Sequence, residues 1–241
     1  MEKKVKMQTV PSTMCIVNEP PYCKLGLKEC NVNIVTSAEI YWFMVLKSKI
    51  SPTCIKSWKD RINVTDDDSF WKGVFSLPYN CLNDFKIKDF QIKIIHRFYP
   101  CQSTVAKWDA NTTSLCNLCN EDDANILHTF YECICVENFW CNIKEWITNN
   151  MEPGYNFQLN CKTVILGIIP YSFRSHCINH CIIYSKYFIH LEKINECQPN
   201  FKKFLRYYKH VLDIEKEIYA MRNERNIFNK SFGKMFDSCK L

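Results

Sequence analysis

Residues 116–133 read Cys-Asn-Leu-Cys-Asn-Glu-Asp-Asp-Ala-Asn-Ile-Leu-His-Thr-Phe-Tyr-Glu-Cys, in the order Cys116-x2-Cys119-x8-His128-x4-Cys133. Two cysteines with two residues between them can present both thiolates to one metal from a tight turn. A histidine and a third cysteine five positions apart can follow at the ends of one helical turn and a corner. Three thiolates and one imidazole complete a tetrahedral shell, the closed arrangement of a structural zinc ion, with no position left for an activated water. The chain has 16 cysteines, so reduced thiols packed around His128 are the alternative, and Cys135 and Cys141 compete for the fourth ligand.

Outward from this cluster the periodicity is helical. Before it, Ile87, Phe90, Ile94, Ile95 and Phe98 define one buried stripe that Pro100 ends, while Lys86, Lys93 and Arg97 share a different, exposed strip. After it, Val136, Phe139, Trp140, Ile143 and Ile147 form an amphipathic helix broken by Met151-Glu152-Pro153-Gly154. Further upstream, Ile40 to Leu46 predicts a helix stopped by Pro52, and Trp58 and Ile62 mark a short one. A third helix, capped at Thr65 with Asp66, Asp67 and Asp68 behind it, carries Phe70, Trp71, Val74 and Phe75 and stops at Pro78. Downstream, 172–196 reads as a helix through Ile178, Ile182, Ile189 and Leu191. One long final helix then turns Phe201, Phe204, Leu205, Tyr208, Leu212, Ile218 and Tyr219 inward. Thr163 to Ile169 is the best candidate strand. The expected fold is mainly α, a helical domain with a small metal-bound element. Residues 1–36 are an irregular lead-in, 37–150 carry the zinc module, and 151–241 form a C-terminal helical region.

A hydrophobic fraction of 47% with 23% charged residues excludes a disordered chain. The first residues lack an apolar signal core, which favours reduced thiols and an intracellular setting, nucleus or cytoplasm. The longest apolar run, Ile40 to Leu46, is too short to span a bilayer, so no membrane partner is expected. The net charge of +6 is unevenly spread. Residues 84–108 hold five lysines and arginines against Asp84 and Asp89, and residues 201–234 hold nine against four acids. Residues 116–150 hold six acids and only Lys144. Positive surface is therefore expected beside the cysteine cluster and not on it. A second group, His176-Cys177-x2-His180-Cys181, offers too few ligands for a metal and lacks the glutamate of a metalloprotease motif, so buried roles are expected.

Several ordered motifs resemble a family. Trp71-x3-Phe75-x-Leu77-Pro78, Phe90-Gln91-x3-Ile95-His96-Arg97, the Cys-Cys-His-Cys cluster with Phe130, and Phe139-Trp140 look like the C-terminal region of LINE-type (non-LTR) retrotransposon polyproteins, which contains the reverse-transcriptase zinc-binding domain. Leu166-Gly167-Ile168 and the basic final segment extend the resemblance, which runs from about Ser37 to about Lys230. It implies one structural Zn2+ on Cys116, Cys119, His128 and Cys133. It also implies sequence-weak binding of RNA or DNA in support of target-primed reverse transcription, beside a reverse-transcriptase domain. Candidate contacts are Lys86, Lys93, His96 and Arg97 on one strip and Lys202, Lys203, Arg206 and Lys209 on another, with Tyr207 available for base stacking. Each charged run is equally readable as a solvated helix face. Polymerase and endonuclease motifs are absent, so no enzyme activity is expected. The alternative is a structural or protein-interaction fragment.

Overall fold

The structure, a computed structural model, describes residues 22–25, 28–31, 36–37, 51–64, 67–150, 158–170 and 172–239. The chain divides into a unit of residues 1–51 and a unit of residues 52–241. In the first, strands β1 (Tyr22–Leu25) and β2 (Lys28–Asn31) pair antiparallel, with Tyr22 opposite Asn31 and Leu25 opposite Lys28. The lead-in is therefore not wholly irregular; strands of four residues are too short to show a period. The helix expected over Ile40 to Leu46 lies outside the described residues, as does the break at 151–154.

The second unit is helical and spans the boundary expected at 150 within one compact body. Helix α1 (Thr53–Ile62) buries Cys54 and Trp58, and Pro52 stands at its N-cap. Helix α2 (Asp68–Cys81) is capped by Asp67, whose carboxylate accepts from Phe70 N at 3.0 Å; the cap is this residue and not Thr65. The helix also runs through Pro78 for most of another turn. Pro78 is buried near the C-terminal end, where its missing N–H costs one bond and the packing of Leu77 and Cys81 outweighs it.

Helix α3 (Phe85–Ile95) buries Ile87, Phe90, Ile94 and Ile95 as the stripe predicts. Phe98 is the exception, at 77% exposed. The helix closes well before Pro100. Phe98 N donates to Lys93 O at 2.7 Å and Arg97 N to Ile94 O at 3.0 Å, with Arg97 in the left-handed region at φ 62°. This is a Schellman closure with arginine where glycine is usual. It turns Phe98 out of the stripe.

Helix α4 (Gln102–Val105) is one short turn, and α5 (Ile134–Asn150) buries the expected Val136, Phe139, Trp140, Ile143 and Ile147. The candidate strand at Thr163 is instead helix α6 (Cys161–Leu166). Thr163 and Ile165 favour extended backbone, but Asn160 and Thr163 form a reciprocal capping box, at 3.0 and 2.9 Å, that starts a helix. Gly167 ends it at φ 89°, where a Cβ would run into Leu77.

Helix α7 (Phe173–Ile194) is the axis of the unit: every residue from 175 to 189 is buried. A helix enclosed on all faces must satisfy its polar groups inside. Asn179 does so against both backbone groups of Ile168, at 2.7 and 3.1 Å. Lys186, fully buried, donates to Gln91 Oε1 at 2.5 Å and Ile165 O at 3.3 Å, and burial pulls its ammonium down to about 7.

The single long final helix is two helices, α8 (Phe201–Met221) and α9 (Arg225–Ser238). Asn223 takes φ 60°, Asn223 N donates to Ala220 O at 3.1 Å and Glu224 N to Tyr219 O at 2.8 Å. The resulting hairpin packs Tyr219 against Phe228, with ring centroids 6.0 Å apart and the rings tilted at 57°. Among the described residues no helix is long and apolar enough to cross a membrane, and no cysteine is in a disulfide.

Candidate metal centre

The four ligands come from two local structures. Cys116 and Cys119 sit on a turn closed by Asn120 N donating to Cys116 O at 2.7 Å, with Asn120 at φ 60°. The turn is returned to itself by Cys116 N donating to Asp122 O at 2.8 Å and by pairing of Leu115 with Asp123. Gln102 Oε1 accepts from Asn117 N at 3.3 Å and Ser103 Oγ donates to Ala124 O at 3.1 Å, so α4 holds the loop from outside.

His128 and Cys133 bracket a wide π turn, His128–Glu132. At 3.6 residues per turn, positions five apart on an α-helix stand about 140° apart around the axis and cannot face one point. Here Cys133 N donates to His128 O at 3.0 Å, an i→i+5 closure that brings both side chains to one side. Asn125 starts this segment, its Oδ1 accepting from Leu127 N at 2.9 Å and His128 N at 3.1 Å. Phe130, fully buried, anchors it against Tyr99 and Phe90 at centroid distances of 4.9 and 5.7 Å.

The ligand atoms of Cys116, Cys119, His128 and Cys133 all lie within 4.8 Å of one another, the one such group among the described residues. Cys116 Sγ and Cys133 Sγ are 3.8 Å apart, and Cys119 Sγ is 3.4 Å from His128 Nε2. A tetrahedral metal with sulfur arms of about 2.3 Å and a nitrogen arm of about 2.0 Å has edges of about 3.8 and 3.5 Å. The donor set therefore fits a metal ion in geometry as well as in kind. Burial raises the Cys119 thiol, but the N–H groups of Glu121 and Asp122 outweigh it and hold the thiol below its ordinary value. Cys133, more deeply set, is pushed well above its ordinary value by burial. Cys135 is not a ligand: its thiol donates to Leu118 O at 3.3 Å. Cys141 is exposed.

No protein-family model matches the chain, and no curated protein matches it.

Two neighbours of the centre escaped the sequence reading. Asp122 Oδ2 lies 3.7 Å from His128 Nδ1, leaving Nε2 to face the sulfurs, the arrangement by which carboxylates orient metal-bound imidazoles. Lys193 is buried, and burial holds its ammonium below the ordinary range, with Cys116, Cys101 and Cys133 opposing that shift. Asp122 was detectable from its place in the loop. Lys193, sixty positions downstream of Cys133, had no local signal.

The expected basic strips are only partly assembled. On the first, the Lys86 ammonium lies 5.6 Å over Tyr187, Lys93 pairs with Asp89 at 2.6 Å, and Arg97 leaves the helix to lie 5.1 Å over Trp58. The three do not share one strip, because the left-handed turn redirects Arg97. His96 is half-buried, stacked between Phe75 and Phe98. On the second, Lys203 is bonded to Glu192 at 2.7 and 2.9 Å, and Lys209 to Asp213 at 2.7 Å. Lys202 and Arg206 are exposed with no carboxylate partner among the described residues. Tyr207 is not available for stacking: it packs against Phe188 and Tyr184, at 5.7 and 6.4 Å.

The histidine pair of α7 is buried as expected. His180 Nδ1 meets Tyr208 OH at 2.9 Å and its Nε2 lies 3.7 Å from Glu215, which accepts from Asn83 at 2.6 Å. His176 Nε2 is 3.4 Å from Tyr219 OH.

Proposed function

We propose that this chain is a zinc-stabilised, non-catalytic module that binds RNA or DNA with little sequence preference. It would be the C-terminal zinc-binding region of a LINE-type reverse-transcriptase polyprotein, working in the nucleus or cytoplasm beside a polymerase domain. The observation that carries the reading is the convergence of the ligand atoms of Cys116, Cys119, His128 and Cys133 within 4.8 Å, in an order and spacing that resemble that family's motif. Three thiolates and one imidazole favour zinc over harder cations. When bound, the ion would supply cross-linking of loop 116–123 to the His128–Cys133 turn. Asp122 would orient His128, and Lys193 would offset the excess negative charge of three thiolates around a divalent ion.

The acidic run 116–150 directs phosphate contacts elsewhere, to cations such as Arg97, Lys202 and Arg206, which have no carboxylate partner among the described residues. The test is titration of the zinc-loaded chain with single-stranded RNA at rising salt. Affinity that falls with salt supports the reading, and absence of binding at low salt sinks it.

A second reading, a fragment that docks on another protein, is favoured by the exposed side chains Tyr79, Phe85, Trp108 and Met221, each at least 64% exposed. It would stand if nucleic-acid binding fails.

A further inference from the structure

A cavity of about 470 Å³ opens between the start of α5 and the start of α8, immediately beyond the last metal ligand. That volume lies within the range of sites that take small molecules, about 300–1,000 Å³. Phe139 and Pro199, both buried, and the half-buried ring of Phe201 give it an apolar lining. Phe139 is fixed against Phe188 and Phe204, at centroid distances of 5.9 and 5.5 Å.

Much of the remaining lining is carboxamide, from Asn138 and Asn142 on α5 and from Gln198 and Asn200 just before α8. Asn142 Nδ2 donates to Asn138 O at 2.7 Å and to Asn138 Oδ1 at 3.3 Å. Gln198 Nε2 donates to Cys135 Sγ at 3.5 Å, and Asn200 Oδ1 accepts from Lys203 N at 3.0 Å. These bonds hold the amides in place and leave an end of each unused. Among the described residues, Asn138 Nδ2 and Asn200 Nδ2 remain as donors without a partner, and Asn142 Oδ1 and Gln198 Oε1 as acceptors. Lys202 also lines the cavity, and the acids of α5, Glu137 and Glu145, do not. Fixed donors and acceptors, an apolar wall and one cation complement a flat heteroaromatic ring that carries polar groups on its edge and an anion at its end. Carboxamides can bond a base edge twice over, and an aromatic side chain supplies a stacking face.

We propose that this cavity seats one nucleotide unit, its base against Phe201 with its edge on Asn138, Asn142 and Gln198, and its phosphate at Lys202. The inference rests on the nucleic-acid reading above and adds to it a place, a contact with the base itself and a preference for unpaired bases, whose edges are free. It also sets the base beside the metal centre. Cys135, in the lining, donates to Leu118 O at 3.3 Å, in the turn between Cys116 and Cys119. A free nucleotide and a residue of a strand share this chemistry.

The test uses the full zinc-loaded chain with a fluorescein-labelled oligoadenylate and an abasic chain of equal length. Wild-type protein is expected to prefer the oligoadenylate. Asn138→Leu combined with Asn142→Leu, which nearly keeps side-chain volume and suits a helix, is expected to weaken oligoadenylate binding about tenfold and to leave the abasic chain unaffected. Gln198→Leu, at an exposed position outside the helices, is expected to act in the same direction. Lys202→Ala should weaken both probes. Displacement of the probe by adenosine 5′-monophosphate marks a free nucleotide as the occupant, and displacement by unlabelled oligoadenylate alone marks a strand; either supports the site. Equal binding of the two probes by wild-type protein, or a preference that the amide variants keep, would overturn this site while leaving the general reading intact. Failure of the wild-type chain to bind either probe at low salt would overturn both.

Discussion

Trp140 donates its indole N–H to the carbonyl of Phe130 at 2.7 Å, joining α5 to the π turn that carries two metal ligands. Both groups are buried, so Trp140→Phe leaves a carbonyl without its donor. The expected cost is about 1–3 kcal/mol. Because that bond ties the turn to α5, metal affinity is expected to fall together with stability. Urea unfolding and chelator competition measure the two. Lower stability at unaltered metal affinity would show that the turn holds its shape without the indole.

The metal ligands themselves allow a sharper contrast. Cys116→Ser and Cys133→Ser are each expected to reduce bound zinc from about one per chain to a small fraction, by elemental analysis. Cys135→Ser, two positions past a ligand, should leave the stoichiometry intact. Chelation should also lower helical circular dichroism, since metal binding and folding are linked.

Lys186 is a buried cation with an amide and a carbonyl for partners and no carboxylate. Its amine titrates near 7 in the folded chain against an ordinary 10.5. Between those values the unfolded state binds the proton and the folded state does not, so stability rises with pH from about 7 towards about 10. Lys186→Met removes this dependence and is expected to stabilise the protein by about 1–4 kcal/mol near pH 7. The gain should shrink near pH 9. Urea midpoints of the two proteins at both pH values decide it, and a gain that grows with pH would contradict the assignment.

At the α8–α9 corner, Asn223 holds φ 60°, where a β-branched side chain is strained. Asn223→Val should cost about 1–2 kcal/mol and Asn223→Gly should be neutral or slightly stabilising. Thermal unfolding distinguishes them. Equal melting temperatures for the two would mean that the corner is not held as described.

What could be read from the residues alone follows from how locally each feature is encoded. The metal ligands fall within eighteen consecutive positions, so spacing revealed them, and helices α3, α5 and α7 declare themselves by apolar period. Helix α6 did not, since its β-branched run mimics a strand and only the Asn160–Thr163 box says otherwise. The α8–α9 corner was hidden for a related reason. The chain has only 5 glycines, and its left-handed helix ends use Asn63, Arg97, Glu196 and Asn223 in their place. A reader searching for glycine stops therefore joins two helices into one and keeps Phe98 on a stripe that it leaves. The charged strips were legible as charges but not wholly as free charges: Glu192 neutralises Lys203 only once two helices are packed, whereas Asp213 pairs with Lys209 at i,i+4 on a single helix.

The enclosure of α7 on every face bears on how this protein can be taken apart. Phe139 and Trp146, on the helix that follows the metal ligands, rest on Phe188, Phe204 and Tyr208 from beyond residue 170. A fragment cut at residue 150 would keep all four ligands and lose the partners of that aromatic face. A metal ion could still bind, but onto a chain prone to aggregate through the uncovered rings. The sound unit for expression, crystallisation or grafting therefore begins near Pro52 and extends through Cys239, with the candidate metal centre as one corner of it and not a detachable finger.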